Sequence, residues 1–245
     1  KITSGTSELK VIETLGLGIE INSDEINFTG GTSSVSGTGS IILKSKDENR
    51  SITIGGTRDD FDSLNLVQRD VMSFKEGFSL IEIGEVRGTG STEIEGDVTF
   101  KSAVSIKAGN QVEVTNAIRG YENISLTGGS GINLGDIITT SNGSINFESA
   151  VTLSDDVTLR SVEGIAFDEK LISEVSNDLL LNAGTRGNVI FSSTVGTIGT
   201  LEIEEANEVR TENKITVNQL KITSGTSELK VIETLGLGIE INSDE

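Results

Sequence analysis

Apolar residues recur along this chain in short alternating runs, x-apolar-x-apolar-x, each closed by Gly, Asn, Asp or Ser. A period of two puts successive apolar side chains on one side of an extended strand, so each run predicts a strand with one buried face. The runs open at Ile19/Ile21 and Ile26/Phe28, pass through Ile42/Leu43 and Ile52/Ile54, and are most regular from Leu80 to Phe167. Equivalent strands start at Val104, Ile124, Ile145 and Ile165, a step of 20 or 21 residues that holds three short strands. Three strands in a coil of that length predict an all-β parallel β-helix, a β-solenoid. One coil cannot bury its own inward residues, so coils must stack to close a core.

Two stretches leave the pattern. Residues 55–78 space their apolar positions (Leu64, Leu66, Val67, Val71, Phe74 and Phe78) closer to a helix than to a strand. Asp62 or Ser63 could cap such a helix and Gly77 could end it, which predicts a short helical excursion covering one face or capping a seam. Between Ser173 and Asn188 the alternation loosens, and it resumes at Val189/Phe191.

The segment Lys1 to Glu25, KITSGTSELKVIETLGLGIEINSDE, returns letter for letter as Lys221 to Glu245. An offset of 220 residues is far longer than a solenoid coil, so it marks a large unit that itself contains many coils. Residues 1–220 are therefore expected to be one long repeat of a tandem array, and 221–245 the start of the next identical repeat. The expected partners are adjacent identical repeats of the same chain. Allowing for the excursion, such a unit holds roughly nine to eleven coils and advances about 43–53 Å at a strand spacing of ~4.8 Å.

Gly135 to Leu159, GDIITTSNGSINFESAVTLSDDVTL, resembles the repeats of filamentous-haemagglutinin-type exoproteins. Ser51 to Gly84, with SITIGGTRDDFDSLNL and VMSFKEGFSLIEIG, is similar to repeats of very large exoproteins of that kind, cyanobacterial ones in particular. The resemblance covers about half of the chain and rests on motifs of coil geometry. It implies a right-handed β-helix, export across an outer membrane, and a role in attachment or cell-surface structure. The repeats of that family hold no catalytic residues to carry over.

Composition narrows the chemistry. The chain has no His and no Cys, which removes the commonest general base and every Ser-His or Cys-His nucleophile, so no enzyme is expected. The net charge of −19, from 38 acidic and 19 basic residues, repels phosphate backbones and argues against a nucleic-acid partner. No run of eighteen apolar residues occurs, so no membrane span is expected in this segment. No cofactor is expected beyond divalent cations such as calcium, which would offset the acidic surface. Pro is absent, Gly numbers 29, and aromatics make up 4%, a balance that suits tight corners around a narrow aliphatic column.

Only five residues stand out as calcium candidates: Asp59, Asp60 and Asp62 in the excursion, and Asp155 and Asp156 at a corner. Turn formation by Asp explains them more simply. Gly128 to Asp136, GGSGINLGD, approaches a calcium-roll nonapeptide, but Asn133 stands where Asp is needed, Gly135 where an apolar residue is needed, and the motif occurs once. Asn110, Asn142, Asn177, Asn182 and Asn188 fall near corners, where Asn either stacks in ladders or relaxes a turn. The leading expectation is a structural repeat of a giant secreted fibre or adhesin at a bacterial surface, serving attachment, sheath or surface-layer structure. Such a fibre could touch neighbouring fibres, surface polysaccharide or other cells. The alternatives are a glycan- or cell-binding module that uses Phe61, Phe74, Phe78 and Tyr121, and, behind it, a carbohydrate-active β-helix enzyme.

Overall fold

The alternating runs become strands that wind as a right-handed parallel β-solenoid of about 12 turns, with 3% helix, in a computed structural model that describes residues 1–14, 16–57 and 62–243. A right-twisted strand fed through a turn onto its parallel neighbour closes in that hand. The chain visits three faces in a constant order. On the first face, Val104, Ile124, Ile145, Ile165 and Val189 sit in direct register, which places the expected equivalents one above another. The second face stacks Val112, Ile132, Val151, Leu171 and Val195. The third stacks Ile118, Ile138, Leu159, Leu181 and Ile203.

Register sets the packing. A parallel ladder brings residues of neighbouring coils to about the strand spacing of 4.8 Å, so each inward side chain rests on its counterpart in the next coil. Phe147, Phe167 and Phe191 occupy one such column, with centroid separations of 4.8 and 5.3 Å and interplanar angles of 8° and 10°. The rings stack face to face because the ladder dictates their spacing. Ile145, Phe147, Ile138 and Leu181 are fully buried. The corners approach as closely as the strands do: a Cβ on Gly129 would lie 2.1 Å from the carbonyl oxygen of Gly109 one coil below. A side chain there would force the two corners apart.

The excursion differs from its expectation. The helix is only Gln68–Ser73, with Val67 as its N-cap and no side-chain cap, and it ends at Phe74 rather than at Gly77. Leu64 and Leu66, two residues apart, form the strand Leu64–Leu66, which pairs in parallel with Ile52–Ile54 on the second face. Their alternation outweighs helical spacing because each gains a fully buried place in a column. Phe74 bridges to Val35 and completes the third face at that level, so the excursion belongs to the solenoid body.

The helix also contributes a buried acid. Asp70 is fully buried, its Oδ1 accepts the backbone N–H of Phe28 at 2.8 Å, and Arg69 Nε lies 3.9 Å from the same oxygen. A strand end that meets a helix receives its acceptor from a side chain. In the loosened stretch, residues 174–178 turn between strands with Ser176 at a φ of 62°, residues 179–182 form a regular strand through Leu179 and Leu181, and register shifts follow between Leu181 and Asn188.

Placing Asp at Ile145 or Phe147 buries an unpaired charge in the column, and we expect a loss of about 3–5 kcal/mol in denaturant unfolding. A parent-like midpoint for either variant would remove that residue from the interior. Asp70→Ala should cost about 1–3 kcal/mol, since it strips the Phe28 N–H of its acceptor. Loss of amide protection at Phe28, with protection kept at Ile145, is the local signature of that change.

Candidate functional site

Outward positions on the ladder also lie one rung apart, so surface chemistry here comes in strips rather than pockets. On the first face the strip is ionic. Glu20 Oε1 lies 3.0 Å from Lys1 Nζ and 3.5 Å from Lys44 Nζ, and Lys44 Nζ reaches Glu85 at 3.3 Å. Lys107 Nζ and Glu82 pair at 2.6 Å farther along. The hydrogen bond from Lys1 holds the Glu20 carboxyl below the usual range against a partly opposing burial, with Lys44 adding to the effect. Burial pulls the Lys44 ammonium down, but Glu85 and Glu20 together outweigh it and raise the group.

On the third face Asp97 Oδ2 takes Arg119 Nη1 at 2.9 Å, and its Oδ1 accepts the Ala117 N–H at 3.2 Å. Arg119, then the backbone donor, keep Asp97 below its ordinary value. Glu233 is lowered in the same way, chiefly by Lys214. Pairs of this kind knit successive coils at the surface. Water screens exposed pairs of this kind, so they contribute little to holding the fold.

The calcium candidates at the corner bond to backbone. Asp155 Oδ1 accepts the N–H of Asp156 at 2.8 Å, and Asp156 Oδ1 accepts the N–H of Asp178 in the next coil at 2.8 Å, so both carboxylates serve the corner backbone. Asp62 is exposed just before the strand Leu64–Leu66. Asp59 and Asp60 lie outside the described residues. Among the described residues no group of three or more acidic side chains converges. In the Gly-rich stretch, the N–H groups of Gly129 and Ser130 bond Ala108 O and Asn110 O, and Asp136 Oδ1 accepts the Ile137 N–H at 2.6 Å. That stretch is an ordinary stacked corner.

The corner asparagines mostly serve the backbone or a near neighbour. Asn177 Nδ2 donates to Leu153 O at 3.1 Å and Asn110 Nδ2 to Ser91 Oγ at 3.1 Å. An inter-coil Asn pair forms where Asn207 Nδ2 donates to Asn188 Oδ1 at 2.9 Å. The aromatic set proposed for ligand binding is not a surface. Phe74 and Phe78 are buried, with Phe74 edge-on to Phe28 at 5.2 Å and to Phe78 at 6.5 Å. They enter the core because the chain leaves the helix at Phe74 in an extended conformation and bridges to Val35. Tyr121 is exposed, and Phe61 lies outside the described residues.

The recesses match this picture. One beneath Lys44, Glu48 and Arg50 holds about 10 Å³, no more than a single water. Others, such as the 380 Å³ groove beside Glu205, Asn207 and Ser224, are open furrows between coils. Sequence reasoning missed the Lys–Glu strip and buried Asp70. The strip was legible only once Glu20 and Lys44 were known to be one coil apart, and nothing in QRDVMS distinguishes Asp70 from a solvated helical acid.

Because the folded Asp97 carboxyl is lowered, its contribution is present above the unfolded value of ~4 and is lost as pH falls through the lower folded value. The stability gap between the parent and Asp97→Asn should therefore be open at pH 6 and closed at pH 2. Thermal unfolding across that range measures it, and a gap independent of pH would reject the ion pair.

No family model matches the chain, and no curated protein or solved structure is significantly similar to it.

Proposed function

We propose that the chain is a structural unit of a tandem-repeat β-solenoid fibre, secreted to a bacterial surface, where it supports attachment or forms sheath. Its work is mechanical rather than catalytic, and the inward columns carry it. The observation behind this reading is the behaviour of the repeated segment. Both copies take the same one-coil step, Ile2 onto Ile21 and Ile222 onto Ile241. Both also build the same corner, with Ser4 Oγ bonding Thr6 O and Ser7 Oγ, and Ser224 Oγ bonding Thr226 O and Ser227 Oγ.

The copies are covered on opposite sides. Ile21 is fully buried under the coil that follows it, while its counterpart Ile241 is 39% exposed. On the opposite side Ile222 is buried over Ile203, while its counterpart Ile2 is half-buried. One segment thus accepts a coil on either side, which is what a join between identical units requires. Placement outside a bacterial cell, and kinship with filamentous-haemagglutinin-type exoproteins, are supported by the repeat motifs, the lack of Cys and the acidic surface.

The test is electron microscopy and fibre diffraction of the chain continued by further copies of residues 26–245. A thin filament whose length grows with copy number, with an axial strand spacing of about 4.8 Å, is the expected result. Compact particles joined by flexible links would overturn the reading.

A further inference from the structure

The two copies of the repeated segment lie on different faces of the solenoid. The ladder that begins at residues 2–4 passes through Ile21, Leu43, Ile83, Ile106 and Leu126, continues to Phe191, and ends on Thr226–Glu228. That path is ten steps, and it arrives at the repeat of residues 6–8, not of 2–4. Residues 222–224, the true repeat of 2–4, sit one face earlier, where Ile222 lies on Ile203 and Ile203 on Leu181. The shift is uniform. Residues 12–14 lie on the third face, whereas Ile232 lies on Ile215 and Ile215 on Val195, on the second. A unit is therefore ten coils less one of three faces, or nine and two-thirds coils.

We infer that successive units are each turned by a third of a revolution, so that the fibre follows a threefold screw. At ~4.8 Å per coil the rise is about 46 Å per unit, and the structure repeats about every 140 Å, after three units. This rests on the tandem reading above and specifies the geometry of the join. Each face asks for the same thing, an inward aliphatic at every second position, so a segment can move from one face to the next without a mismatch in the core. Glu20 already lies 3.5 Å from Lys44 in the coil above. At the join, Glu240 takes the place of Glu20 and meets the next unit's copy of Lys44. The helix Gln68–Ser73, with its exposed Met72, is then displayed on all three sides in turn. A fibre so built offers the same lateral contacts around its whole circumference.

The native lack of cysteine makes the face assignment directly testable in the 245-residue chain. Glu202 and Lys221 are rung partners, so the double variant Glu202→Cys/Lys221→Cys should cross-link on mild oxidation. If residues 221–224 shared the face of residues 2–4, they would rest on residues 210–213, and Arg210→Cys/Lys221→Cys would cross-link instead. That reversal, or no cross-link in either, overturns the inference. Helical reconstruction of the cysteine-free chain continued by copies of residues 26–245 gives the second measurement. A rotation of a third of a turn per ~46 Å unit upholds the screw, and a rotation near zero with a rise near 48 Å overturns it while leaving the tandem fibre intact. Absence of a filament overturns both.

Discussion

The constraint on which everything else depends is the parallel hydrogen-bonded ladder between coils. It sets one distance along the axis and forbids slippage, because a shift of one residue would turn every inward side chain outward. From that follow the stacked rings of Phe147, Phe167 and Phe191, the glycine corners at Gly109 and Gly129, and the outward Lys–Glu strip. None of these is an independent design feature. Each is what a residue type becomes when it is repeated one rung higher.

Where the ladder is interrupted, the chain spends other resources to close it. The helix Gln68–Ser73 brings a buried carboxylate to the N–H of Phe28, and Phe74 takes the place of a strand on the third face. The Leu64–Leu66 strand fits beneath Ile52–Ile54, which precedes it in the chain, so the second face runs briefly against sequence order. Local backtracking of this kind is tolerated because the column needs an inward apolar pair at each level, regardless of where in the chain it comes from.

The same constraint shapes the functional reading. Strips and furrows line the surface, and Asp155 and Asp156 serve corner backbones. A solenoid gains stability by adding coils, each of which contacts only its neighbours. Its natural products are length and a periodic surface, which is why a structural role fits this chain better than a localised chemistry.

The sequence by itself determined the class of fold, the coil length and most of the inward residues. Strand alternation and the 20–21-residue step are local periodicities, written directly in positions such as Val104, Ile124, Ile145 and Ile165. It also showed the identical segments 220 residues apart, since identity needs no structure to be seen. Leu64 and Leu66 were misread because three residues are too short to distinguish alternation from helical spacing. The alternative binding module required Phe74 and Phe78 at the surface, but both are buried, because the chain leaves the helix at Phe74 and re-enters the column against Val35. Only the tertiary structure decided the pairing of Glu20 with Lys44, the acceptor role of Asp70, and the face on which the second copy lands. Those depend on contacts between residues about 20 to 40 positions apart, and the number of faces between two identical segments is a sum over every coil between them.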